Sequence, residues 1–390
     1  MKRIAIITSH PIQYNSPLFG LLTEKEKFSI KVFYTWGQAV LQNKYDPGFG
    51  KSINWDIPLL EGYEYVLEKN IATQPGSHHF KGIDNPELIK HIEEWQADAI
   101  LVYGWAFKSH LQCLRYFHKK IPVYFRGDST LLDEKKGFHF RKLIRRIFLT
   151  WVYRHVDKAL YVGIENKKYF LAHGLLSDQL IFAPHAIDNE RFSEPDTFYQ
   201  EKAKSWKQSL QIPDQAFVYL FAGKLEPKKN PLLLAHAFME IENSNLRLIF
   251  VGNGPLEHKL KNLCENDGRI IFINFQNQQQ MPVVYRLADI FVLPSQGPGE
   301  TWGLAINEAM ACGIPVLVSD KCGAAADLVN QYTGWIFASG NKLALKNSLE
   351  FCFKNPLAVK DKGIAARSHI NQYHYNTMAA SIMQLMDSIN

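Results

Sequence analysis

The sequence has few cysteines and no long apolar run. Its five cysteines lie far apart, and no two of them form a CxxC pair. This usage is typical of a reducing compartment and argues against a disulfide framework or a zinc site. No stretch of about 18 uninterrupted apolar residues is present, which argues against a transmembrane helix. The start, MKRIAIITSHP, has too short an apolar run for a signal peptide and is typical of a first β-strand.

Strong charge of either sign is also missing. The net charge of +6 is too small to indicate a nucleic-acid partner, although it suits anionic substrates or an anionic membrane surface. No acidic cluster of the kind that holds a metal is evident, so we expect no metal and no cofactor. With 390 residues, 46% of them hydrophobic, the chain has material for two cores. Together these features predict a cytoplasmic, two-domain protein.

Short apolar runs alternate with segments of helix length along the whole chain. In the first half a helix is predicted at 16–24, and strands are predicted at 3–8, 30–34, 99–103, 123–125, 159–162 and 181–183. The pattern restarts with strands at 217–222, 246–251, 270–273, 290–293 and 315–319. We therefore expect an α/β fold with two doubly wound Rossmann-like domains facing each other across a cleft. The polar stretch 189–215 is predicted to link domains placed at 1–195 and 196–373.

Two segments interrupt this rhythm. Residues 35–82 form a long insertion rich in glycine and aromatic residues, and loops of such length tend to be functional. Residues 138–156 are predicted to form an amphipathic helix with basic residues on one side and apolar residues on another: Arg141, Lys142, Arg145 and Arg146 against Ile144, Ile147, Phe148 and Trp151. Two interpretations are open. The helix rests on anionic lipid at the inner face of the membrane, or its apolar side packs on the core beneath a solvated basic face.

Loops after strands of the second half carry groups suited to a phosphorylated ligand. In GKLEPKKN, residues 223–230, Lys224 and Lys229 supply compact positive charge for phosphate oxygens, and the start of the next helix adds to it. Gly252 opens the turn after the next strand and allows close approach of the backbone. Paired lysines on their own are equally a common solvated surface feature.

A further loop, PSQGPGE at 294–300, leads into a helix predicted from about Gly303 to Ala311. The start of that helix offers backbone N–H groups to a diphosphate. Glu300 and Glu308 would repel phosphate, but carboxylates accept hydrogen bonds from hydroxyls. The pair therefore suits a nucleotide sugar, one glutamate for each sugar. Taken without the surrounding pattern, both glutamates are also readable as surface charges.

The run ETWGLAINEAMACGIPVLVSDKCGAAADLV, residues 300–329, resembles the signature of family 4 retaining glycosyltransferases (glycosyl transferases group 1), which have the two-domain GT-B fold. GKLEPKKN resembles the phosphate-binding segment of that family, with Lys224 in place of the usual Arg and Asn230 in place of the usual Gly. DQLIFAPHAIDNERF, residues 178–192, resembles the interdomain segment of the family. The resemblance covers nearly the whole second domain and extends loosely to the first.

The resemblance implies a donor site whose members are Gly223, Lys224, Lys229, Gly252, Phe275, Glu300, Thr301, Trp302, Gly303, Leu304 and Glu308. Within it, Lys224 and Lys229 hold the diphosphate, helped by the backbone at 302–304. Glu308 binds the ribose hydroxyls, and Glu300 contacts the transferred sugar. Phe275 occupies the region that frames the base.

Candidates in the first domain are less specific. His10 follows the first strand, but the first 19 residues contain no glycine, so a phosphate-cradling loop is not expected there. His10 contacts acceptor or donor, or else it stabilises a turn. Asp128 or Arg126 is expected to contact sugar or acceptor, and a turn held by Arg–Asp pairing is the alternative. The catalytic candidates are Glu300, Lys229, Lys224, Asp128 and His10.

Together with these features, the resemblance implies a retaining glycosyltransferase that moves a sugar from a nucleotide diphosphate sugar, with UDP favoured, to a glycan or lipid-linked glycan in surface polysaccharide or glycoconjugate synthesis. The resemblance implies that the first domain binds the acceptor, that the last helix, 374–390, packs back on it, and that the second domain binds the donor. It also implies a reaction in which the leaving diphosphate takes the acceptor proton. A nucleotide-sugar 2-epimerase is the alternative enzyme, and a non-catalytic binding subunit is a third hypothesis.

Overall fold

The computed structural model describes residues 1–37, 44–46, 51–53, 55–134, 137, 140–193 and 197–389. The other parts of the predicted insertion at 35–82, and residues 138–139 of the predicted basic helix, lie outside these described residues. The chain divides into two compact units. Unit 1 comprises Met1–Lys44, Pro58–His185 and Tyr375–Asn390, and unit 2 comprises Tyr45–Ile57 and Ala186–His374.

Strands and helices alternate through both units. The strands of the described residues are β1 (Arg3–Thr8), β2 (Ser29–Tyr34), β3 (Lys44–Asp46), β4 (Lys51–Ile53), β5 (Glu64–Leu67), β6 (Ala99–Tyr103), β7 (Val123–Arg126), β8 (Lys158–Tyr161), β9 (Leu180–Phe182), β10 (Phe217–Ala222), β11 (Leu246–Val251), β12 (Ile270–Ile273), β13 (Ile290–Leu293), β14 (Val316–Ser319) and β15 (Gly334–Phe337). The α-helices are α1 (Ser16–Glu24), α2 (Leu88–Glu94), α3 (Lys108–Phe117), α4 (Phe140–Tyr153), α5 (Ile164–Ala172), α6 (Asn189–Ser193), α7 (Thr197–Ser209), α8 (Pro231–Met239), α9 (Glu257–Leu263), α10 (Met281–Tyr285), α11 (Leu304–Ala311), α12 (Ala325–Leu328), α13 (Lys342–Lys354), α14 (Pro356–Ile370) and α15 (Tyr375–Asp387).

Each unit is built on one parallel sheet. The sheet of unit 1 has seven strands in the order β5-β2-β1-β6-β7-β8-β9, and that of unit 2 has six in the order β12-β11-β10-β13-β14-β15. In both sheets the first strand lies between the second and the fourth. This is the doubly wound order, in which ligands bind where the order reverses, beyond the carboxyl ends of the central strands. The prediction of two doubly wound α/β domains is confirmed.

The register of β10 aligns two loops of unit 2. All six residues of β10 are buried, which explains why the strand is a continuous apolar run, FVYLFA. Ala222 at its end pairs with Val251 at the end of β11. The loops that begin at Gly223 and Gly252 therefore leave the sheet side by side, next to the reversal between β10 and β13.

Most predicted strands are confirmed within one or two residues, whereas β5 and β15 were not predicted. Both are outermost strands of their sheets; β5 begins with the exposed Glu64, and β15 is only four residues long and begins with Gly334. Residues 189–215, predicted to link the two domains, contain α6 and α7 and belong to unit 2. In α7 the buried residue is Ala203, so no apolar stripe marks the helix in the sequence.

The C-terminal helix α15 is part of unit 1. Its buried residues include Met378, Ile382 and Leu385, and the helix lies against α1. The Tyr124 hydroxyl donates a hydrogen bond to the Leu385 carbonyl at 3.1 Å, although the two residues are 261 positions apart along the chain. None of the helices among the described residues combines the length and the apolarity needed to cross a bilayer.

Candidate functional site

The loops after β10 and β11 approach each other closely in unit 2. The Leu225 amide donates a hydrogen bond to the Asn253 carbonyl at 2.9 Å. A Cβ atom on Gly252, whose φ is +132°, would lie 2.1 Å from the Gly223 carbonyl oxygen. One on Gly254 would lie 2.6 Å from the Leu225 carbonyl oxygen. Only glycine fits this approach, because any side chain would collide with the neighbouring backbone.

A buried ion pair joins the loop after β10 to the loop after β13. The Lys229 ammonium lies 2.8 Å from Glu300 Oε2, and the two side chains are 14% and 6% exposed. The Ser295 hydroxyl donates to the same Glu300 oxygen at 3.0 Å. Both loops start at carboxyl ends of the strands that flank the reversal of the sheet. The structure thus brings two predicted site residues into direct contact at the position where doubly wound sheets bind ligands.

Lys229 and Glu300 are both charged in this pair. Burial alone raises the pKa of Glu300, but Lys229, together with Lys228 and the Ser295 hydroxyl, outweighs it and lowers the pKa below its ordinary value. Burial likewise opposes the charge on Lys229, but the Glu300 carboxylate outweighs it and raises the pKa of the lysine. At neutral pH the site therefore contains an ammonium and a carboxylate, each stabilised by the other.

The adjacent residues Lys228 and Lys229 have different surroundings in the loop after β10. Lys228 is more exposed, at 36%, and lies 3.6 Å from Glu226. The backbone around Lys228 ties the two loops together, since the Gln296 amide donates to the Lys228 carbonyl at 2.8 Å. Asn230 then takes a left-handed conformation, with φ of +52°, at the start of α8. Asparagine tolerates this conformation better than most residues, which explains how it replaces glycine here.

The start of α11 lies beside Glu300. Gly303 caps the helix with a φ of +98°, and a Cβ atom there would lie 3.6 Å from Glu300 Oε1. Trp302, the residue before Gly303, is fixed by its own indole N–H, which donates a hydrogen bond to Asn307 Oδ1 at 2.8 Å. A helix N-terminus next to a lysine ammonium is suited to binding an anionic group such as a phosphate. Leu304 is the first residue of α11, and Thr301 lies half-buried between Glu300 and Trp302.

Glu308 is held by a tyrosine that the sequence did not reveal. The Tyr285 hydroxyl donates a hydrogen bond to Glu308 Oε2 at 2.7 Å, and Glu308 is 3% exposed. A buried carboxylate in such a bond has a fixed orientation and retains acceptor capacity on its oxygens. Glu308 lies one turn beyond the start of α11, so the interpretation of it as an exposed helix residue is wrong.

The loop after β12 meets part of the predicted insertion. The Phe275 amide donates to Asn253 Oδ1 at 2.9 Å, which connects this loop to the loop after β11. The ring of Trp55 meets the ring of Phe275 edge to face, with centroids 6.4 Å apart. Asp56 accepts a hydrogen bond from the Gln279 amide at 3.1 Å. The insertion therefore contributes an aromatic residue to unit 2, although the sequence placed it in the first domain.

Lys224 is half-buried in the loop after β10, five residues before Lys229. The ion pair with Glu300 is formed by Lys229. Among the residues that the structure describes, no three His, Cys, Asp or Glu side chains are grouped so that they can hold a metal ion.

In unit 1, His10 lies at the carboxyl end of β1. Its Nδ1 is 2.9 Å from the Ser9 hydroxyl, and its ring meets that of Trp36 edge to face at 5.3 Å. Behind it, the buried His110 joins the loop after β2 to the loop after β6, with Nε2 2.8 Å from the Thr35 hydroxyl. Burial lowers the pKa of His110 to about 4, so this histidine is a neutral structural group. His10 is the more accessible of the two.

Arg126, the last residue of β7, and Asp128, two residues further on, have different environments. Arg126 is 4% exposed and donates to the carbonyls of Ala183 and Pro184 at 2.7 and 3.2 Å. The hypothesis that Arg126 contacts a sugar is therefore wrong, because its guanidinium is committed to buried backbone. Asp128 is 48% exposed, and its Oδ2 lies 3.7 Å from His185 Nε2. Burial lowers the pKa of His185 against the opposing effect of Asp128.

Three residues near the candidate site were missed in the sequence: Ser295, Tyr285 and Trp55. Ser295 lies two residues after β13, and its position at a strand end was an available signal. Tyr285 lies on α10 whereas Glu308 lies on α11, and Trp55 is far from Phe275 along the chain. No local pattern marks such partners.

Known proteins are similar to this chain in sequence over part of its length. The model of the family described as glycosyl transferases group 1 matches residues 202–374. An uncharacterised glycosyltransferase of Methanocaldococcus jannaschii is 30% identical over 142 residues, which are 35% of this chain and 36% of that protein. An Escherichia coli UDP-Gal:alpha-D-GlcNAc-diphosphoundecaprenol alpha-1,3-galactosyltransferase is 30% identical over 161 residues, 39% of this chain and 40% of that protein. The chain thus spans less than half the length of these relatives.

A solved structure of Anabaena HepE in complex with UDP and glucose aligns over 100% of both chains, with a TM-score of 0.72 and 17% identity. Identity at this level shows the fold alone, and the predicted GT-B fold is confirmed. The family and both named relatives are glycosyltransferases. The segment that carries the Lys229–Glu300 pair and the start of α11, residues 202–374, matches the model of the glycosyl transferases group 1 family.

Proposed function

We infer that this protein transfers a sugar from a nucleotide diphosphate sugar to a glycan or lipid-linked glycan. The observation that carries the proposal is the buried pair of Lys229 and Glu300 at the reversal of the unit 2 sheet, next to the start of α11. This arrangement offers positive charge for a diphosphate and a carboxylate for a hydroxyl within one site. The segment's match to the model of a glycosyltransferase family supports this assignment.

Lys229 is the group we assign to the leaving diphosphate. A lysine ammonium has three donors, and Glu300 takes one of them, which leaves capacity for phosphate oxygens. Negative charge develops on the diphosphate as the bond to the sugar breaks, and a pre-oriented cation stabilises that charge without reorganising. We assign Lys224 to the same diphosphate, together with the backbone at 302–304 and the tight turns at Gly223 and Gly252.

The remaining donor groups are assigned by their surroundings. Glu308, oriented by Tyr285, accepts hydrogen bonds from the ribose hydroxyls. Glu300 accepts hydrogen bonds from hydroxyls of the transferred sugar, with Lys229 and Ser295 fixing its position. Phe275 frames the base, and its contact with Trp55 extends that apolar wall.

We further propose that transfer proceeds with retention, as in family 4. The diphosphate takes the acceptor proton as it leaves, so the enzyme needs no nucleophile and no metal, and its residues orient the reactants. His10 and Asp128 in unit 1 contact the acceptor. UDP is the favoured nucleotide because HepE binds it and the Escherichia coli relative is named for a UDP-sugar. The name of that relative also includes a lipid diphosphate, which supports a lipid-linked acceptor.

The test is transfer from a panel of labelled nucleotide sugars, with UDP-sugars expected to be used. Lys229→Ala should lower kcat roughly a hundredfold, the loss typical of one electrostatic donor. Lys228→Ala is the matched control, since Lys228 is the adjacent lysine and is more exposed, and it should stay near the wild-type rate. Equal rates for the two variants would refute the assignment. An epimerised nucleotide sugar formed without acceptor would identify a 2-epimerase, and nucleotide binding without turnover would identify a binding subunit.

The configuration and metal proposals have separate readouts. Proton NMR of the first product should show the anomeric configuration of the donor, and the opposite anomer would refute retention. Turnover should persist in EDTA. A complete loss that magnesium restores would show that the lysines alone do not supply the charge.

A further inference from the structure

Helix α4 of unit 1 has two apolar faces. Leu149, Val152 and Tyr153 are spaced at helical intervals and are buried in the core. Phe140, Ile144 and Ile147 recur at i, i+4 and i+7, a spacing that places them on the opposite side of the helix. They are 68%, 51% and 64% exposed, and Leu143 and Phe148 beside them are 42% and 39% exposed.

This exposure excludes the simpler interpretation of the helix. If the apolar stripe packed on the core, Ile144 and Ile147 would be buried, and they are not. The core contact is already made by Leu149 and its neighbours, so folding does not require large apolar side chains on the outer face. A contiguous exposed apolar face of this kind on a folded unit marks a surface for interaction.

The same turns of α4 are strongly basic. Its sequence, FRKLIRRIFLTWVY, contains Arg141, Lys142, Arg145 and Arg146 and no acidic residue. The three arginines are exposed, and Lys142 lies 2.8 Å from Glu134. By helical spacing Arg141 and Arg146 lie on either side of the apolar face, and Arg145 lies further round the helix. Arginine side chains are long enough to span such a distance while their charge stays in water. The face therefore combines apolar surface with a surrounding excess of positive charge.

We propose that α4 docks on an anionic lipid bilayer, with the docking face formed by Phe140, Leu143, Ile144, Ile147 and Phe148. These side chains enter the boundary between headgroups and acyl chains, and the arginines lie at the level of the lipid phosphates. Charge complementarity selects this occupant, because the basic residues flank the apolar side chains over the same turns.

The position of α4 in the fold assigns a role to the docking. This step rests on the proposed function. The helix follows β7 in the chain, and the parallel strands β7, β6 and β1 all end at one edge of the unit 1 sheet, where His10 follows β1. Trp105, which follows β6 at the same edge, contacts Phe148 with ring centroids 5.4 Å apart. A docked α4 therefore brings the edge assigned to the acceptor to the membrane surface, where a lipid-linked acceptor resides.

Co-sedimentation of the full chain with vesicles tests the docking without any substrate. One vesicle is phosphatidylcholine, and the other is equal parts phosphatidylcholine and phosphatidylglycerol. The protein should bind the anionic vesicle at low salt, bind the neutral vesicle weakly, and lose binding at high salt as the charges are screened. Equal binding to both vesicles, or binding to neither, would overturn the proposal.

Two variants separate the charge from the apolar face. Replacing Arg141, Arg145 and Arg146 together by Gln should weaken partitioning onto anionic vesicles roughly a hundredfold, since each basic side chain near the surface contributes about fivefold. Ile144→Ser with Ile147→Ser should weaken it about tenfold through lost apolar burial. All five residues are exposed, so the melting temperature should stay at the wild-type value.

The matched control for the apolar pair is Leu357→Ser with Ile364→Ser on α14, where the side chains are 78% and 65% exposed. This control should bind vesicles like the wild type, and an equal loss in the control would overturn the assignment to α4. Self-association that depends on Ile144 and Ile147, in a chain that ignores both vesicles, would assign the face to a second copy. Vesicle binding by a chain that turns over no nucleotide sugar would support the docking and refute the proposed transferase activity.

Discussion

Replacing Lys229 by Met removes the cation from the buried pair and keeps a side chain of similar length. In the wild type the Lys229 ammonium lies 2.8 Å from a Glu300 carboxylate that is 6% exposed. The variant leaves that carboxylate buried with the Ser295 hydroxyl as its hydrogen-bond donor. An uncompensated buried charge is costly, so the variant should unfold more readily than the wild type at neutral pH.

The expected loss is about 3 kcal/mol in the free energy of unfolding, the low end of the range for breaking a buried pair. Since both side chains are less than one-sixth exposed, water screens this interaction little. For a unit of this size, such a loss corresponds to a fall in the melting temperature of about 6 to 12 °C.

The loss should depend on pH. In the wild type the pKa of Glu300 is lowered, so the stability from its charged form is present above the ordinary value of about 4.3 and is lost as the pH falls through the lowered pKa. In Lys229→Met burial is no longer outweighed, and the pKa of Glu300 rises. The variant then loses stability as the pH rises from acid to neutral. The difference in unfolding free energy between the wild type and Lys229→Met, called the gap below, is therefore largest at neutral pH and becomes smaller in acid.

Thermal unfolding followed by circular dichroism between pH 4.5 and 7.5 measures this gap. Lys228→Met is the matched control and should stay close to the wild type, because Lys228 is exposed and surface ion pairs contribute little. Adding Glu300→Gln to Lys229→Met should restore part of the lost stability at neutral pH. A gap that does not change with pH, or an equal loss in Lys228→Met, would refute the reasoning.

Two further predictions concern neighbouring parts of the site. Tyr285→Phe should weaken UDP binding about tenfold in titration calorimetry, because a hydrogen bond that orients the Glu308 carboxylate is lost. UDP that lacks both ribose hydroxyls should bind the two proteins alike, and an equal loss for both nucleotides would contradict the ribose assignment. Gly252→Ala should lower the melting temperature by about 5 °C or more, since its Cβ would lie 2.1 Å from a carbonyl oxygen. Gly268→Ala, where a Cβ meets nothing within 4 Å, should leave it nearly unchanged, and similar losses in both would contradict the close-approach argument.

The buried strands could be predicted because they are buried on both faces. β10 and β13 are uninterrupted apolar runs, and β11 is interrupted only by Arg247; the predicted bounds of all three match the structure. The outer strands β5 and β15 could not be predicted in this way. β5 begins with the exposed Glu64, and β15 is a four-residue strand that opens with Gly334, so neither gives a long apolar run. For the same reason α7 was taken as part of a linker, as it buries little against the rest of the unit.

The candidate site could be predicted as far as its residues share a loop with a strand end. Lys229 and Glu300 each follow a strand of the unit 2 sheet, and the doubly wound order brings their loops together. Their contact with each other was not predicted, because the sequence suggested a role for each toward the ligand alone. Arg126 shows the opposite outcome: it lies at the carboxyl end of β7, yet its guanidinium binds backbone carbonyls.

The sequence by itself determined the two parallel sheets and the loops that carry the donor residues, because apolar periodicity and glycine placement act over a few neighbouring residues. Only the tertiary structure decided which side chains meet. Tyr285 holds Glu308, and Trp55 meets Phe275, across separations that no local pattern encodes. It also decided which apolar face of α4 is covered: both faces have helical spacing, and burial of Leu149 by the core leaves Ile147 in solvent.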